Sequence, residues 1–340
     1  MKASFLPKAG SALAAGGVFG GGGAVIYSNS IPRTWQEALQ WEGHFFILSI
    51  EEEVKQEKAY KAVYLDNKSN IKNDISEITD SEDESTAFKK IKKWCETKLN
   101  EKFVRNDQNT LEKILKYCED KRPITVEGAL KRILDSQEKW LKDETNADED
   151  YKVIFAIYRY SPVFLKEING SETNKYNQST SVDEGKDGLK KWCSENLSKK
   201  TKEVTDPNLY SYVSWWCKLL GYKTVKEKLS KSFPGWEEEL DSSGTDQGQP
   251  WALIKGYWQM TREVFSVVDP SKSSKSDGKN IQPTQYMNWC KDKLNKKLYE
   301  NDVYQRDYLI VKSVCVKQTI QVKLGSEQSL QKAIEASKKN

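Results

Sequence analysis

Histidine is almost missing from this chain of 340 residues, which holds one, His44. Imidazole is the side chain that titrates near neutral pH, so a single copy leaves most acid–base and metal chemistry hard to stage. His44 lies in WEGHFFIL among apolar neighbours, a setting for a packed or surface side chain rather than a catalytic one. An excess of one charge is also lacking: 54 basic and 50 acidic residues interleave to a net +4. A nucleic-acid surface concentrates one sign, so the balance argues against nucleic acid as a partner. The stretch KKIKKW (Lys89 to Trp94) looks basic, but Glu96 and Glu101 follow it, and it reads as a solvated helix face rather than a phosphate contact. No Gly-x-Ser-x-Gly elbow, phosphate loop or metal-binding helix motif occurs. Carboxylate runs such as Glu51 to Glu53 and Glu237 to Glu239 are ordinary in a chain that is 31% charged. A cysteine nucleophile needs a base beside it, which three equivalent cysteine pairs do not supply. The expectation is a protein without catalysis, cofactor or metal site.

Charge is absent again from Ala9 to Tyr27, AGSALAAGGVFGGGGAVIY, with Lys2 and Lys8 ahead of it and Arg33 the next charge behind. At about 1.5 Å per residue this stretch is just long enough to span a hydrocarbon core. Basic residues ahead of it predict an N-terminus inside and the rest of the chain outside a cell membrane crossed once. Glycine is poor in a water-exposed helix but common where membrane helices pack, and Gly16/Gly20 and Gly17/Gly21 have the four-residue spacing for it. A cleaved signal peptide is an alternative, although Ala12-Leu13-Ala14 falls too early to follow a full apolar core. A flexible glycine tail is another. A phosphate loop does not fit, because no strand precedes the glycines and no Lys-Ser/Thr follows. No cysteine precedes Cys95, so a lipid-anchored cysteine is excluded.

What the chain does have is tryptophan, eleven residues of it, and a repeated phrase. Tryptophan at this density points to small cores built on large side chains. KKWCETKL, KKWCSENL and MNWCKDKL place Cys95, Cys193 and Cys290 each after a Trp (Trp94, Trp192, Trp289) and four residues before a Leu (Leu99, Leu197, Leu294). Their partners Cys118, Cys217 and Cys315 follow at separations of 23, 24 and 25. Thr34, Thr125, Thr224 and Thr319 each precede by five a Leu (Leu39, Leu130, Leu229, Leu324) and read as helix N-caps. Self-similarity at a fixed period is the mark of repeat architecture. The expected fold is mainly α: three tandem helical units, each with a disulfide-linked antiparallel helix hairpin, after an N-terminal membrane helix. The units are 31–120, 121–218 and 219–316, between an anchor segment 1–30 and a partial repeat or tail 317–340.

The spacing inside a unit supports the hairpin. Phe88, Ile91, Cys95 and Leu99 step along one helix face, as do Leu111, Ile114, Leu115 and Cys118. The midpoint of each cysteine pair falls in or beside a polar turn, at Arg105 to Asn109, Thr205 to Asn208 and Glu300 to Val303. Residues equidistant from such a turn face each other, so the pairs Cys95–Cys118, Cys193–Cys217 and Cys290–Cys315 are placed to bridge, with each Trp covering the bridge. Six reduced, buried thiols are the competing reading. Zinc is a weaker one, since a unit supplies two thiols and no His. Breaker-rich segments at Asp66 to Thr86, Asn169 to Gly188 and Asp269 to Pro283 differ in sequence and read as surface loops. The joints between units are short, so the units are expected to stack. YKVIFAIYRY (Tyr151 to Tyr160) and WALIKGYW (Trp251 to Trp258) could form a binding face but are dense enough to be core.

The glycine-rich apolar start, the Thr-Val-x3-Leu helix, the Trp-Cys pair and the Cys followed soon by Thr-Val resemble the large paralogous families of haemotropic mycoplasma proteins. Those members combine one anchor with one such unit, where this chain has three. The resemblance covers most of the chain through loose motifs, and only the cysteine pairs with their tryptophans match as framework. It implies a cell-surface or antigenic role and no assigned functional residues. The expectation is a membrane-anchored, surface-exposed protein contacting a host surface protein or glycan, its three units multiplying weak contacts. The alternative is a scaffold on the cytoplasmic face with reduced cysteines, and a third is an enzyme with a site built between units. Disulfide state separates the first two, because bridges persist in oxidising compartments.

Overall fold

The computed structural model describes residues 32–79, 81–134, 138–172, 174–234 and 283–315, with 332, 335 and 336. These residues are mainly α-helical, and among them β-structure is confined to five isolated bridges. The segment Ala9 to Tyr27 with its four glycines, the helix start at Thr319 and the stretch Trp251 to Trp258 lie outside the described residues. So does most of the third expected loop. Among the described residues no helix is long and apolar enough to cross a membrane.

Three helices begin where the threonines place them. Thr34 caps α1 (Trp35–Trp41), Thr125 caps α6 (Val126–Ile133) and Thr224 caps α11 (Val225–Ser232). Each hydroxyl accepts from a backbone N–H three residues on, at 3.2, 3.1 and 3.2 Å. At α11 Glu227 reaches back to complete a capping box. The residue after each cap, Trp35, Val126 or Val225, is buried.

The cysteine-bearing helices follow. Helix α4 (Glu84–Asn100) carries Cys95, and α5 (Gln108–Tyr117) ends at Cys118. Helix α9 (Val182–Ser198) carries Cys193, and α10 (Leu209–Trp216) ends at Cys217. Helix α12 (Pro283–Asn295) carries Cys290, and α13 (Tyr308–Val314), entered through a π turn at Val303–Asp307, ends at Cys315. The link between the paired helices is not a tight turn. It begins as extended chain that pairs with the threonine of the capped helix: Thr34 with Lys102, Thr125 with Lys200 and Thr224 with Lys297. Two backbone bonds seal each site. Trp35, Val126 and Val225 donate to Glu101, Lys199 and Lys296 at 3.2, 2.9 and 3.1 Å. Phe103, Thr201 and Leu298 donate to Arg33, Ile124 and Lys223 at 2.9, 2.8 and 2.9 Å.

Between the capped helix and the cysteine helices run α2 (Glu53–Asn67) and α3 (Ile71–Asp74) in the first third of the chain, and α7 (Asp148–Tyr158) and α8 (Pro162–Asn169) in the second. A short 3-10 turn precedes each set, at Ile47–Ser49 and Leu141–Asp143. The turn is stitched to the second cysteine of its pair: Ile47 donates to the Cys118 carbonyl and Leu141 to the Cys217 carbonyl, both at 2.9 Å.

Buried side chains gather into three clusters, one around each cysteine pair. The stretch Tyr151 to Tyr160 supplies core, since Tyr151, Val153, Ile154 and Phe155 are all buried. Gly185 of α9 faces Phe155 of α7 so closely that a β-carbon there would fall inside the ring.

The expected loops need correction. Within Asp66 to Thr86, residues Ile71, Ile75 and Ile78 are buried, and α4 begins at Glu84. Three isoleucines among acids are enough to pin a segment whose average composition is polar. Helix α9 likewise starts at Val182, ahead of the predicted loop end, because Ser181 caps it by accepting from Glu184 N–H. Gly188 lies inside that helix, where the ring of Tyr176 covers it.

The clusters meet at short joints. Helix α2 packs along α6. The Asp66 carboxylate at its end accepts from the N–H groups of Ile124 and Thr125 at 2.7 and 2.9 Å and from the Thr125 hydroxyl at 2.6 Å. Gly128 makes this approach fit, since a β-carbon there would lie 2.6 Å from the carboxylate oxygen. At the next joint α7 sends Val153 into the third cluster, and Asp150 and Glu149 face Lys223 and Lys297 at 3.3 and 3.4 Å. Gln305 donates to the Ala156 carbonyl at 2.7 Å.

Candidate functional site

The six cysteines singled out in the sequence all close disulfides: Cys95–Cys118, Cys193–Cys217 and Cys290–Cys315, with no free cysteine left. All six residues are wholly buried. The tryptophan before each first cysteine packs in or against the buried cluster that holds its bridge. Trp94 meets Tyr117 edge to face at 5.8 Å, Trp192 lies 5.2 Å from Trp216, and Trp289 packs against the third cluster. Trp216 is the hub of an aromatic group, with Phe164 edge-on at 4.9 Å and Tyr212 stacked at 4.8 Å. These sites are framework, sealed from water. Among the described residues no group of three or more His, Cys, Asp or Glu side chains is arranged to hold a metal ion.

His44 is half-buried, its Nδ1 hydrogen-bonded to the Glu119 carboxylate at 2.7 Å beside the bridge from Phe46 to Glu119. It joins the first turn to the end of α5. Buried charges are likewise committed to structure: Lys131 pairs with Glu84, and Glu127 pairs with Lys142 at 2.9 Å. Burial raises the Glu127 carboxyl above its usual range despite that lysine.

Among the described residues, two clefts are large enough for a ligand. One, about 300 Å³, lies between α8 and α9 and is lined by Glu167, Glu195, Asn196, Tyr176 and Trp192. Its walls are self-satisfied: Asn169 holds Tyr176 through two backbone bonds of 2.8 and 2.7 Å, and Asn196 donates to the Trp192 carbonyl. Burial, helped by the nearby Asp206 charge, raises the Glu167 carboxyl. The other cleft, about 530 Å³, opens where α10 runs into α11 and is lined by Tyr158, Trp215, Leu219, Leu220, Tyr222 and Lys231 among others. Trp215 is 56% and Leu219 40% exposed there. Sequence reading missed this cleft, because its residues come from a joint too short to show periodicity. The available signal was LLGY after Cys217, apolar where EDKRP follows Cys118.

Neither a family model, nor a curated protein, nor a solved structure matches this chain.

Proposed function

We propose that this is a membrane-anchored, surface-exposed helical repeat protein that binds a partner outside the cell and performs no catalysis. The observation that carries the reading is the set of three disulfides that uses every cysteine. Bridges of this kind persist in oxidising compartments, and small cores use them in place of bulk. The uncharged stretch Ala9 to Tyr27 behind Lys2 and Lys8 supplies the anchor, with Gly16, Gly17, Gly20 and Gly21 on its packing face and the body outside.

The body is three tandem units, 31–120, 121–218 and 219–316. Supporting this are the capped threonine, the extended pairing with a lysine and the cystine, each recurring three times in the same order. Tandem units multiply weak contacts to a partner, a host surface protein or glycan, by raising effective concentration. The resemblance to the haemotropic mycoplasma families points the same way. The test is thiol alkylation and protease treatment of intact cells. Three cystine-linked peptides and a body cut by external protease are expected. Six alkylated thiols and an uncut chain would move the protein to the cytoplasmic face.

A further inference from the structure

The two joints between clusters are built on the same positions with opposite chemistry. Counted from the second cysteine of each pair, Lys116, Asp120 and Lys121 of the first joint correspond to Trp215, Leu219 and Leu220 of the second. Counted from the capping threonine, Arg132 corresponds to Lys231. In the first joint Arg132 Nη1 bonds Asp120 at 2.5 Å and Lys116 faces Asp74 at 3.4 Å. The space between is closed down to about 10 Å³. In the second, leucine stands in place of that aspartate. Lys231 instead donates to the Leu220 carbonyl and lies 5.6 Å from the Tyr222 ring. The result is the cleft of about 530 Å³, inside the size range of ligand pockets.

Three lysines line this cleft: Lys218 is held by Glu138 at 2.7 Å and Lys139 by Glu144 at 3.1 Å, while Lys231, among the described residues, meets a backbone carbonyl rather than a carboxylate. Just behind, Lys228 is ringed by Tyr222, Tyr304 and Tyr308 at 4.5, 5.7 and 5.6 Å, with no carboxylate paired to it among the described residues. Burial, and next the charge of Lys231, hold Lys228 below the usual lysine range. The exposed wall is Trp215 and Leu219. Trp and Tyr are the residue types that anchor protein interfaces.

We infer that this cleft takes an acidic peptide segment that inserts one large apolar side chain between Trp215 and Leu219 and sets a carboxylate against Lys231. A saccharide fits less well. A neutral sugar leaves the charge of Lys231 unmatched, and Leu219 and Leu220 would strip water from its hydroxyls without replacement. The inference names the partner class of the binding protein proposed above and rests on that reading.

The test uses the purified full chain in detergent without reductant, so its outcome does not depend on which side of a membrane the body occupies. A random-peptide library is panned on it, and enriched peptides are measured by fluorescence polarisation against Leu219→Asp, Trp215→Ala and Trp41→Ala. Leu219→Asp restores the carboxylate of the first joint and closes the cleft onto Lys231. Trp41 is exposed elsewhere and serves as control. Each variant is first shown to keep its three disulfides. The expected result is acidic sequences with one large apolar residue, weakened roughly tenfold or more by the two cleft variants, untouched by Trp41→Ala and weakened by salt. Enrichment of no acidic class, or binding indifferent to Leu219→Asp, overturns the inference. So does a hyaluronan oligosaccharide that binds the native chain and is lost with Leu219→Asp, which would assign the cleft to a glycan.

Discussion

Removing one carboxylate at the first joint should loosen two thirds of the molecule from each other. Asp66 ends α2 and accepts three hydrogen bonds from the start of α6, two from backbone N–H groups and one from the Thr125 hydroxyl. Bonds to a charged acceptor contribute about 1.5–3 kcal/mol each when shielded. The Ile124 contact is exposed and the other two part-buried, so each sits at or below the low end. The negative charge also faces a helix N-terminus, worth roughly 0.3–1 kcal/mol. Asp66→Ala is therefore expected to cost about 2–4 kcal/mol in urea unfolding under non-reducing conditions. Asp66→Asn should cost less, about 2 kcal/mol. Its oxygen can keep both Thr125 bonds, while its amide meets the Ile124 N–H donor to donor. A double-mutant cycle with Thr125→Val isolates the hydroxyl bond, with a coupling of about 1–2 kcal/mol expected. Hydrogen exchange of α6 amides should rise in Asp66→Ala before those of α4. If Asp66→Ala changes stability by under about 0.5 kcal/mol, the joint is held by apolar packing alone and the reasoning fails.

Other expectations follow from the same structure. The double variant Cys193→Ala/Cys217→Ala opens a loop with a sequence separation of 24 and should cost roughly 3 kcal/mol in denaturant unfolding. The corresponding double variants of the other two pairs should match it closely if loop entropy dominates. Gly185→Ala should destabilise by about 1–2 kcal/mol in thermal unfolding, overpacking against the Phe155 ring outweighing the gain in helix propensity. Asp83 caps α4, and hydrogen bonds from Ser85 and Thr86 hold its carboxyl down at about 2. A depressed carboxyl contributes stability above its unfolded value of about 3.9 and loses it as pH falls toward the folded one. The carboxylate faces water, so the expected cost of Asp83→Ala is that of an ordinary cap, about 1 kcal/mol at pH 7 and smaller near pH 2, read from urea midpoints at each pH.

The features legible in the sequence are those that local rules or a strict period dictate. Thr34, Thr125 and Thr224 cap helices because a cap needs only the next three residues. The cysteine pairing followed from a period that the tryptophans share. The extended pairing of each threonine with a lysine was hidden, because a bridge of one residue leaves no alternation to detect. So was Asp66, whose partners lie 58 and 59 residues away. The acidic run after α2 read as free loop because composition averages over Ile71, Ile75 and Ile78, which decide its position. Leu219 and Leu220 became meaningful only beside Asp120 and Lys121, when the two joints could be compared in space.

The placement of the cystines has a consequence under tension. Each closes a loop with a sequence separation of 23, 24 or 25, while its α-carbons stay within 5.7 Å. Fully extended, such a segment would span about 80 Å, at roughly 3.3–3.6 Å per residue. A pull on the two ends of the chain can strip α2, α6 and α7 from their neighbours. It cannot lengthen the span between paired cysteines, since force passes through the sulfur–sulfur bond and bypasses the helices inside. Under force the chain would pay out in steps set by the segments outside the loops, and each step would lengthen by about 80 Å only when a reductant cuts its bond.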